Sequence, residues 1–92
     1  MSGIATQVGG YKLLTATGNV APISKKMVGI FCSAASSTPT ITIYDSATTT
    51  TTTKVIDTFT PTANTWYHMP ASTGAGIYVV LGGTVSATVI YA

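Results

Sequence analysis

The chain has no arginine, no glutamate and very little charge of either sign. Its ionised side chains are four lysines and two aspartates, which make up 7% of 92 residues, whereas about 25% is usual for a soluble domain. The formal net charge of +2 comes from lysines that are scattered, apart from Lys25 and Lys26. Specific nucleic-acid binding relies on clustered lysines and arginines that contact phosphates and bases. The composition therefore argues against a nucleic-acid-binding protein.

Cysteine and long apolar runs are also scarce. Cys32 is the one cysteine, so an intramolecular disulfide and a thiolate metal cluster are excluded, and its apolar neighbours predict a buried thiol. The longest apolar run, residues 77–81, is far shorter than the roughly 18 residues of a membrane helix. Residues 1–14 lack the basic start and apolar stretch of a secretory signal. We expect a soluble chain made in a reducing cytoplasm, with no membrane contact.

Side chains suited to catalysis or metal binding are few. General acid–base catalysis needs a group that titrates near neutral pH, and the chain offers only His68, with Asp45 and Asp57 as possible partners. A G-x-S-x-G nucleophile elbow is absent. His68, Cys32 and the two aspartates occur singly, without the closely spaced ligand pairs of metal sites. We therefore expect no enzyme, metal, cofactor or small-molecule substrate.

Alternation of apolar and polar residues predicts β-strands along most of the chain. Residues 40–44 and 84–91 alternate clearly, which is typical of strands with one buried face. Residues 27–32 and 77–81 are uniformly apolar, as expected of strands covered on both faces. Between the last two predicted strands, Gly82 and Gly83 predict a two-residue hairpin turn.

Shorter strand candidates lie at residues 53–60 and 65–69, and no segment has a helical period. The predicted fold class is all-β, a small antiparallel β-sandwich or jelly-roll-like barrel of seven to eight short strands. We predict an N-terminal extended segment or first strand over residues 1–20 and a β-sandwich domain over residues 21–92. The threonine run at residues 48–53 predicts a polar loop, either a flexible hairpin tip or an arm ordered by a neighbouring subunit.

The shortage of charge is itself informative about function. Solubility normally depends on a surface of which about a quarter to a third is charged, and charged residues also protect sheet edges from pairing with other chains. A chain with six charged side chains suits a position inside a large assembly, where other subunits cover much of its surface. This reasoning favours a structural component over an enzyme or a diffusing binding module.

Four segments, taken in order, resemble the small virion structural proteins of tailed bacteriophages. They are KMVGIF at 26–31, PTITIYD at 39–45, GIYVVLGGT at 76–84 and ATVIY at 87–91. The similarity covers roughly residues 25–92. It implies a compact β-sandwich with a capsid-associated or tail-associated role, and for a domain this small it favours capsid decoration (cement). The family supplies no catalytic residues to carry over.

The resemblance implies an oligomer, with a trimer favoured, that binds the major capsid protein on the outer surface of the virion. A tail, neck or fibre-base component is the first alternative, and a glycan-binding adhesive module that uses the aromatic stretch 66–68 is the second. The candidate interface residues are large apolar side chains in segments of weak strand pattern: Ile4, Val8, Tyr11, Trp66 and Tyr67.

Overall fold

A computed structural model of the chain describes residues 10–92. The regular secondary structure in that range consists entirely of β-strands. The strands are β1 (Gly10–Leu14), β2 (Gly18–Ala21), β3 (Lys26–Asp45), β4 (Lys54–Phe59), β5 (Thr65–Ser72) and β6 (Ile77–Tyr91). All pairings are antiparallel and join the six strands into one open sheet. The prediction of an all-β antiparallel domain is confirmed. Across residues 10–92, no helix is long and apolar enough to span a membrane.

The two long strands β3 and β6 form the centre of the sheet. They pair along nearly their whole length, from Met27 opposite Tyr91 to Asp45 opposite Ile77. A straight strand of 20 residues would span about 66 Å at about 3.3 Å per residue. The longest dimension of the molecule is only 44 Å. Both strands therefore bend strongly within the sheet.

The bend lies where the register of β3 against β6 shifts. Ser36 pairs with Thr84 and Thr40 pairs with Gly82, so three residues of β3 face Gly83 alone. Extra residues on one strand of an antiparallel pair form a bulge that bends the strand and increases its twist. Ser37 and Thr38, which lie inside this bulge, have left-handed φ values of 57° and 53°.

The prediction of a hairpin at Gly82 and Gly83 is wrong, because both glycines lie inside β6. Gly83 has a φ of 68°, and a Cβ atom there would collide with the carbonyl oxygens of Ser37 and Thr38. The glycine pair thus allows a close approach of two strands at a bulge. The sheet consequently has six strands, two of them long, close to the seven to eight short strands predicted.

The bend divides the sheet into two halves that share β3 and β6. Half-sheet I contains β1, residues 84–91 of β6, residues 26–36 of β3, and β5. Half-sheet II contains β2, residues 77–82 of β6, residues 40–45 of β3, and β4. Buried apolar side chains from both halves form one core cluster. The ring of Phe59 in half-sheet II packs against that of Tyr67 in half-sheet I, with centroids 5.3 Å apart. The two halves therefore contact each other, and the sheet folds over into a sandwich-like arrangement.

The described part of residues 1–20 belongs to this sheet. Strand β1 and strand β2 both pair with β6, one in each half-sheet. The boundary predicted between residues 20 and 21 falls inside β2.

The threonine run lies in the loop 46–53 that joins β3 to β4, as the polar-loop prediction requires. The side-chain amide of Asn19 donates hydrogen bonds to the carbonyl oxygens of Ser46 at 3.1 Å and Thr48 at 3.0 Å. The Ser46 hydroxyl accepts bonds from the backbone N–H groups of Thr48 and Thr50, both at 3.1 Å. The loop is therefore held against β2 by its own chain and is not a projecting arm.

Candidate docking surface

The outer face of half-sheet I carries two rows of side chains that cross four strands. In the first row Leu13, Thr88, Phe31 and Trp66 are successive cross-strand neighbours. In the second row Tyr11 pairs with Ile90, Ile90 with Gly29 and Gly29 with His68. Alternate residues point to the core, as strand geometry requires. We call these eight positions the outer apolar face.

The outer apolar face holds most of the large apolar side chains that the described residues expose. Tyr11 is 74% exposed, Leu13 56%, Trp66 42% and Phe31 37%. The one other exposed large apolar side chain among residues 10–92 is Ile23, at 59%, which lies in the connection between β2 and β3. Single exposed apolar residues are normal, whereas a contiguous apolar patch marks an interaction site. The concentration of four such residues on one face therefore indicates a docking surface.

Gly29 determines how Trp66 lies on this face. A Cβ atom at Gly29 would lie 2.7 and 2.8 Å from the ring carbons Cη2 and Cζ2 of Trp66, and it would collide with the carbonyl oxygen of Tyr67. The absence of a side chain at Gly29 lets the indole ring lie against the sheet instead of standing away from it. The His68 ring follows on the same strand, with its centroid 6.4 Å from that of Trp66.

Charged side chains are absent from the eight positions of the outer apolar face. Lys12 belongs to β1 but points to the other side of the sheet, where its ammonium group donates to the carbonyl oxygen of Asn19 at 3.0 Å. Lys54 and Asp57 pair with each other on β4 at 3.0 Å. Docking at the face would thus bury apolar area without removing water from a charged group, which is a large cost in many interfaces.

The structure places two of the predicted interface residues on the same face of the sheet. Tyr11 and Trp66 lie at opposite ends of the outer apolar face. Tyr67 does not lie there, because it points to the core side of β5, packs its ring 5.3 Å from that of Phe59, and accepts a hydrogen bond from Thr62 N–H. Ile4 and Val8 lie outside the described residues.

Sequence reasoning missed Leu13, Phe31 and Ile90 as members of this face. The uniformly apolar run 27–32 predicts a strand covered on both sides, and the exposure of Phe31 makes that prediction wrong for the outer side. The same prediction is confirmed in the first part of residues 77–81, where Ile77, Tyr78 and Val79 are buried. The position of Phe31 in the strand does indicate its exposure. Phe31 lies between the fully buried Ile30 and Cys32, and neighbouring residues of a strand point to opposite faces.

The titratable residues are spread over the fold. Cys32 is buried as predicted, and this burial raises the pKa of its thiol. Asp45 lies at the end of β3 in half-sheet II, while His68 lies on the outer face of half-sheet I. Among residues 10–92, no three His, Cys, Asp or Glu side chains are close enough to hold a metal ion.

Asp45 has a clear structural task at the turn between β5 and β6. Its carboxylate accepts hydrogen bonds from the backbone N–H groups of Gly74 at 2.8 Å, Ala75 at 2.7 Å and Gly76 at 3.3 Å. These bonds, that of Gly74 first, lower the pKa of Asp45 below its usual range. Hydrogen bonds to a carboxylate favour its charged form, so the turn is held best when Asp45 is ionised.

We expect Asp45→Asn to lower the melting temperature at pH 7. A carboxylate whose folded pKa is depressed contributes stability that is fully present above its unfolded pKa of about 4 and is lost as the pH falls through its folded pKa. The difference in melting temperature between the two proteins should therefore be largest above about pH 5 and shrink below about pH 4. Thermal unfolding followed by circular dichroism from pH 3 to pH 7 measures it. A difference that stays constant over this range would contradict the assigned role.

A groove beside the β5–β6 turn is lined by hydroxyl and ammonium groups. Buried Thr73 holds it together, because its hydroxyl donates to the carbonyl oxygen of Lys25 at 2.9 Å and accepts from the Lys25 N–H at 3.2 Å. The other lining residues are Ser24, Lys26, Ser72 and Ala92. The contacts of Thr73 tie the β2–β3 connection to the turn, which is a structural function.

No known protein family, curated protein or solved structure matches the chain. The comparisons therefore add nothing to the resemblance expected from the four segments quoted above.

Proposed function

We propose that the chain is a structural subunit of a phage virion, and that it decorates the outer surface of the capsid by docking its outer apolar face. The observation that carries the proposal is the largely apolar surface formed by Tyr11, Leu13, Phe31 and Trp66 on one side of the antiparallel sheet. The low charge of the chain and its resemblance to virion proteins point the same way.

A decoration protein would stabilise the capsid through the summed binding free energy of many identical contacts. Burial of apolar area contributes about 25 cal/mol per Å², and large aromatic side chains near the centre of an interface contribute the most. A subunit that contacts two neighbouring capsid proteins stabilises the assembled state over the separated state by mass action. Repetition over the lattice makes a modest contact at each position sufficient.

Trp66 is the anchor residue of the proposed contact, so we expect Trp66→Ala to weaken capsid binding by about 30-fold or more. That factor corresponds to the roughly 2 kcal/mol or more that a tryptophan anchor contributes. The measurement is co-sedimentation of purified chain with capsids that lack it, over a range of chain concentrations. Ile23→Ala is the matched control, because Ile23 is similarly exposed but lies off the face, and its binding should match that of the unaltered protein.

The same preparation distinguishes the alternatives. A decoration protein is present in stoichiometric amounts with the major capsid protein and raises the melting temperature of the capsid. A few copies to tens of copies per particle would overturn the decoration role in favour of a tail, neck or fibre-base position. Absence from particles, combined with polysaccharide binding that Trp66→Ala abolishes, would overturn it in favour of a glycan-binding module.

A further inference from the structure

Strand β1 forms an edge of half-sheet I that differs from the edges formed by β4 and β5. Within residues 10–92, β1 pairs only with β6, so one side of its backbone has no strand partner. An unpaired edge is a template for another strand, and proteins commonly protect it with proline or charge. Strand β5 carries Pro70, and β4 carries the Lys54–Asp57 pair. Strand β1 contains no proline, and its lysine is turned to the inner side.

The two most exposed aromatic and aliphatic side chains of the outer apolar face lie on this same edge strand. Tyr11 and Leu13 are both more than half exposed. A strand paired alongside β1 would place its own side chains beside Tyr11 and Leu13 and bury part of their surface, while one placed on the far edge at β5 would not. Backbone pairing and apolar burial thus coincide at β1, which is the combination that strand addition uses.

We infer that β1 is a self-association edge, and that the β1 strands of two copies pair antiparallel about a two-fold axis. Such pairing would join the two copies of half-sheet I into one continuous sheet of eight strands. A second copy fits this surface because a two-fold axis brings identical residues close together, and identical charges there would repel. None of the eight positions of the outer apolar face holds a lysine, arginine, aspartate or glutamate, so self-pairing brings no such like charges together on that face.

Geometry also selects a register. Directly opposite residues project to the same side of a sheet, so a two-fold antiparallel pair must place one residue opposite its own copy. A register centred on Lys12 would put two ammonium groups opposite each other, which is destabilising. A register centred on Leu13 places Leu13 opposite Leu13 on the outer side and Lys12 opposite Leu14 on the inner side. A register centred on Tyr11 also avoids that contact, because it places Lys12 opposite Gly10. We assign the axis to Leu13, and the cysteine variants described below distinguish the two registers.

The oligomeric state of the full chain tests the inference directly. Sedimentation equilibrium from about 1 to 500 μM should give a mass rising from 9.4 kDa toward twice that value. We expect a dissociation constant on the order of micromolar, since so short a paired edge buries less than a standard interface. Leu13→Lys should remain monomeric over the same range. Ile23→Lys is the matched control and should dimerise like the unaltered chain.

A cysteine variant tests the register. In the assigned pairing the two Leu13 Cβ atoms are about 5 Å apart, so Leu13→Cys should form an intermolecular disulfide under mild oxidation. Tyr11→Cys should not, because its two copies would be about 13 Å apart along the strands. The native Cys32 is fully buried and does not compete.

Three results would overturn the inference: a monomer at every concentration, a trimeric mass, or equal behaviour of Leu13→Lys and Ile23→Lys. Cross-linking through Tyr11→Cys in preference to Leu13→Cys would overturn the register. The self-association is independent of the proposed function, because it concerns the isolated chain, whereas capsid docking is tested through Trp66 at the opposite end of the face. Failure of one therefore leaves the other standing.

Discussion

Replacing Gly83 with alanine is expected to lower the free energy of unfolding by about 2–4 kcal/mol. Gly83 has a φ of 68°, a conformation that costs an L-residue with a side chain about 1–2 kcal/mol. In addition, the new methyl group would meet the carbonyl oxygens of Ser37 and Thr38 at the bulge of β3. Both carbonyls belong to backbone that is itself held in a left-handed conformation, so neither can move away cheaply. Equilibrium unfolding in urea measures the loss.

Gly74→Ala is the matched control for this substitution. A Cβ atom at Gly74 would meet only Asp45 Oδ2, at the ordinary contact distance of 3.6 Å, and Gly74 is not among the glycines with positive φ. We expect a change within about 0.5 kcal/mol. Equal effects of the two substitutions would contradict the bulge as the feature that shapes the sheet.

Replacing Ile30 with alanine is expected to have an effect of similar or greater size, about 2–5 kcal/mol. Ile30 is fully buried in the core between the two half-sheets. Its truncation removes the transfer free energy of three carbon atoms and leaves a cavity that a close-packed interior fills only partly. A domain of this length is typically stable by only about 5–14 kcal/mol, so the variant loses a large share of its stability.

Ile23→Ala is the same chemical change at an exposed position, and it should alter stability by no more than about 0.5 kcal/mol. Because a loss of 1 kcal/mol lowers the melting temperature of a domain this small by about 4–8 °C, differential scanning calorimetry separates the two variants clearly. A melting temperature of Ile30→Ala within a few degrees of that of the unaltered protein would mean that the half-sheets do not pack on each other as described.

Alternation of apolar and polar residues is enough to predict that strands are present. It does not predict whether two strand segments are separated by a turn or joined into one bent strand. Ile41 and Ile43 are buried on one face of β3, as their spacing predicts. The Gly82–Gly83 pair predicts a turn from sequence alone, although two glycines between apolar runs suit a bulge equally well. The deciding information lies in the partner strand, where Ser37 and Thr38 form the other side of the bend more than 40 residues away in sequence.

The outer apolar face could be predicted only in part for a related reason. Tyr11 and Trp66 stand out as large apolar side chains in weakly patterned segments, and both lie on the face. Tyr67 is equally large, but which of two neighbours points outward is decided by tertiary packing, here the contact of Tyr67 with Phe59. The exposure of Phe31 is not predicted, because Phe31 lies in a uniformly apolar run. The fold leaves the outer side of that run uncovered at Phe31.

The arrangement links the composition of the chain to its proposed work. Few charged side chains are needed for solubility when hydroxyl groups keep the loops hydrated and most of the exposed large apolar side chains lie on one face. The four exposed apolar side chains of that face come from three strands that the bulge and the core hold in fixed positions. A preorganised surface of this kind loses little conformational entropy on docking.

Hydroxyl-radical footprinting of the chain, free and on particles, tests the central claim most directly, because it reports solvent access residue by residue. We predict that oxidation of Phe31 and Trp66 falls several-fold when the chain is bound to capsids, while oxidation of Ile23 is unchanged. Equal oxidation of Phe31 and Trp66 in the free and bound chain would contradict docking through the outer apolar face.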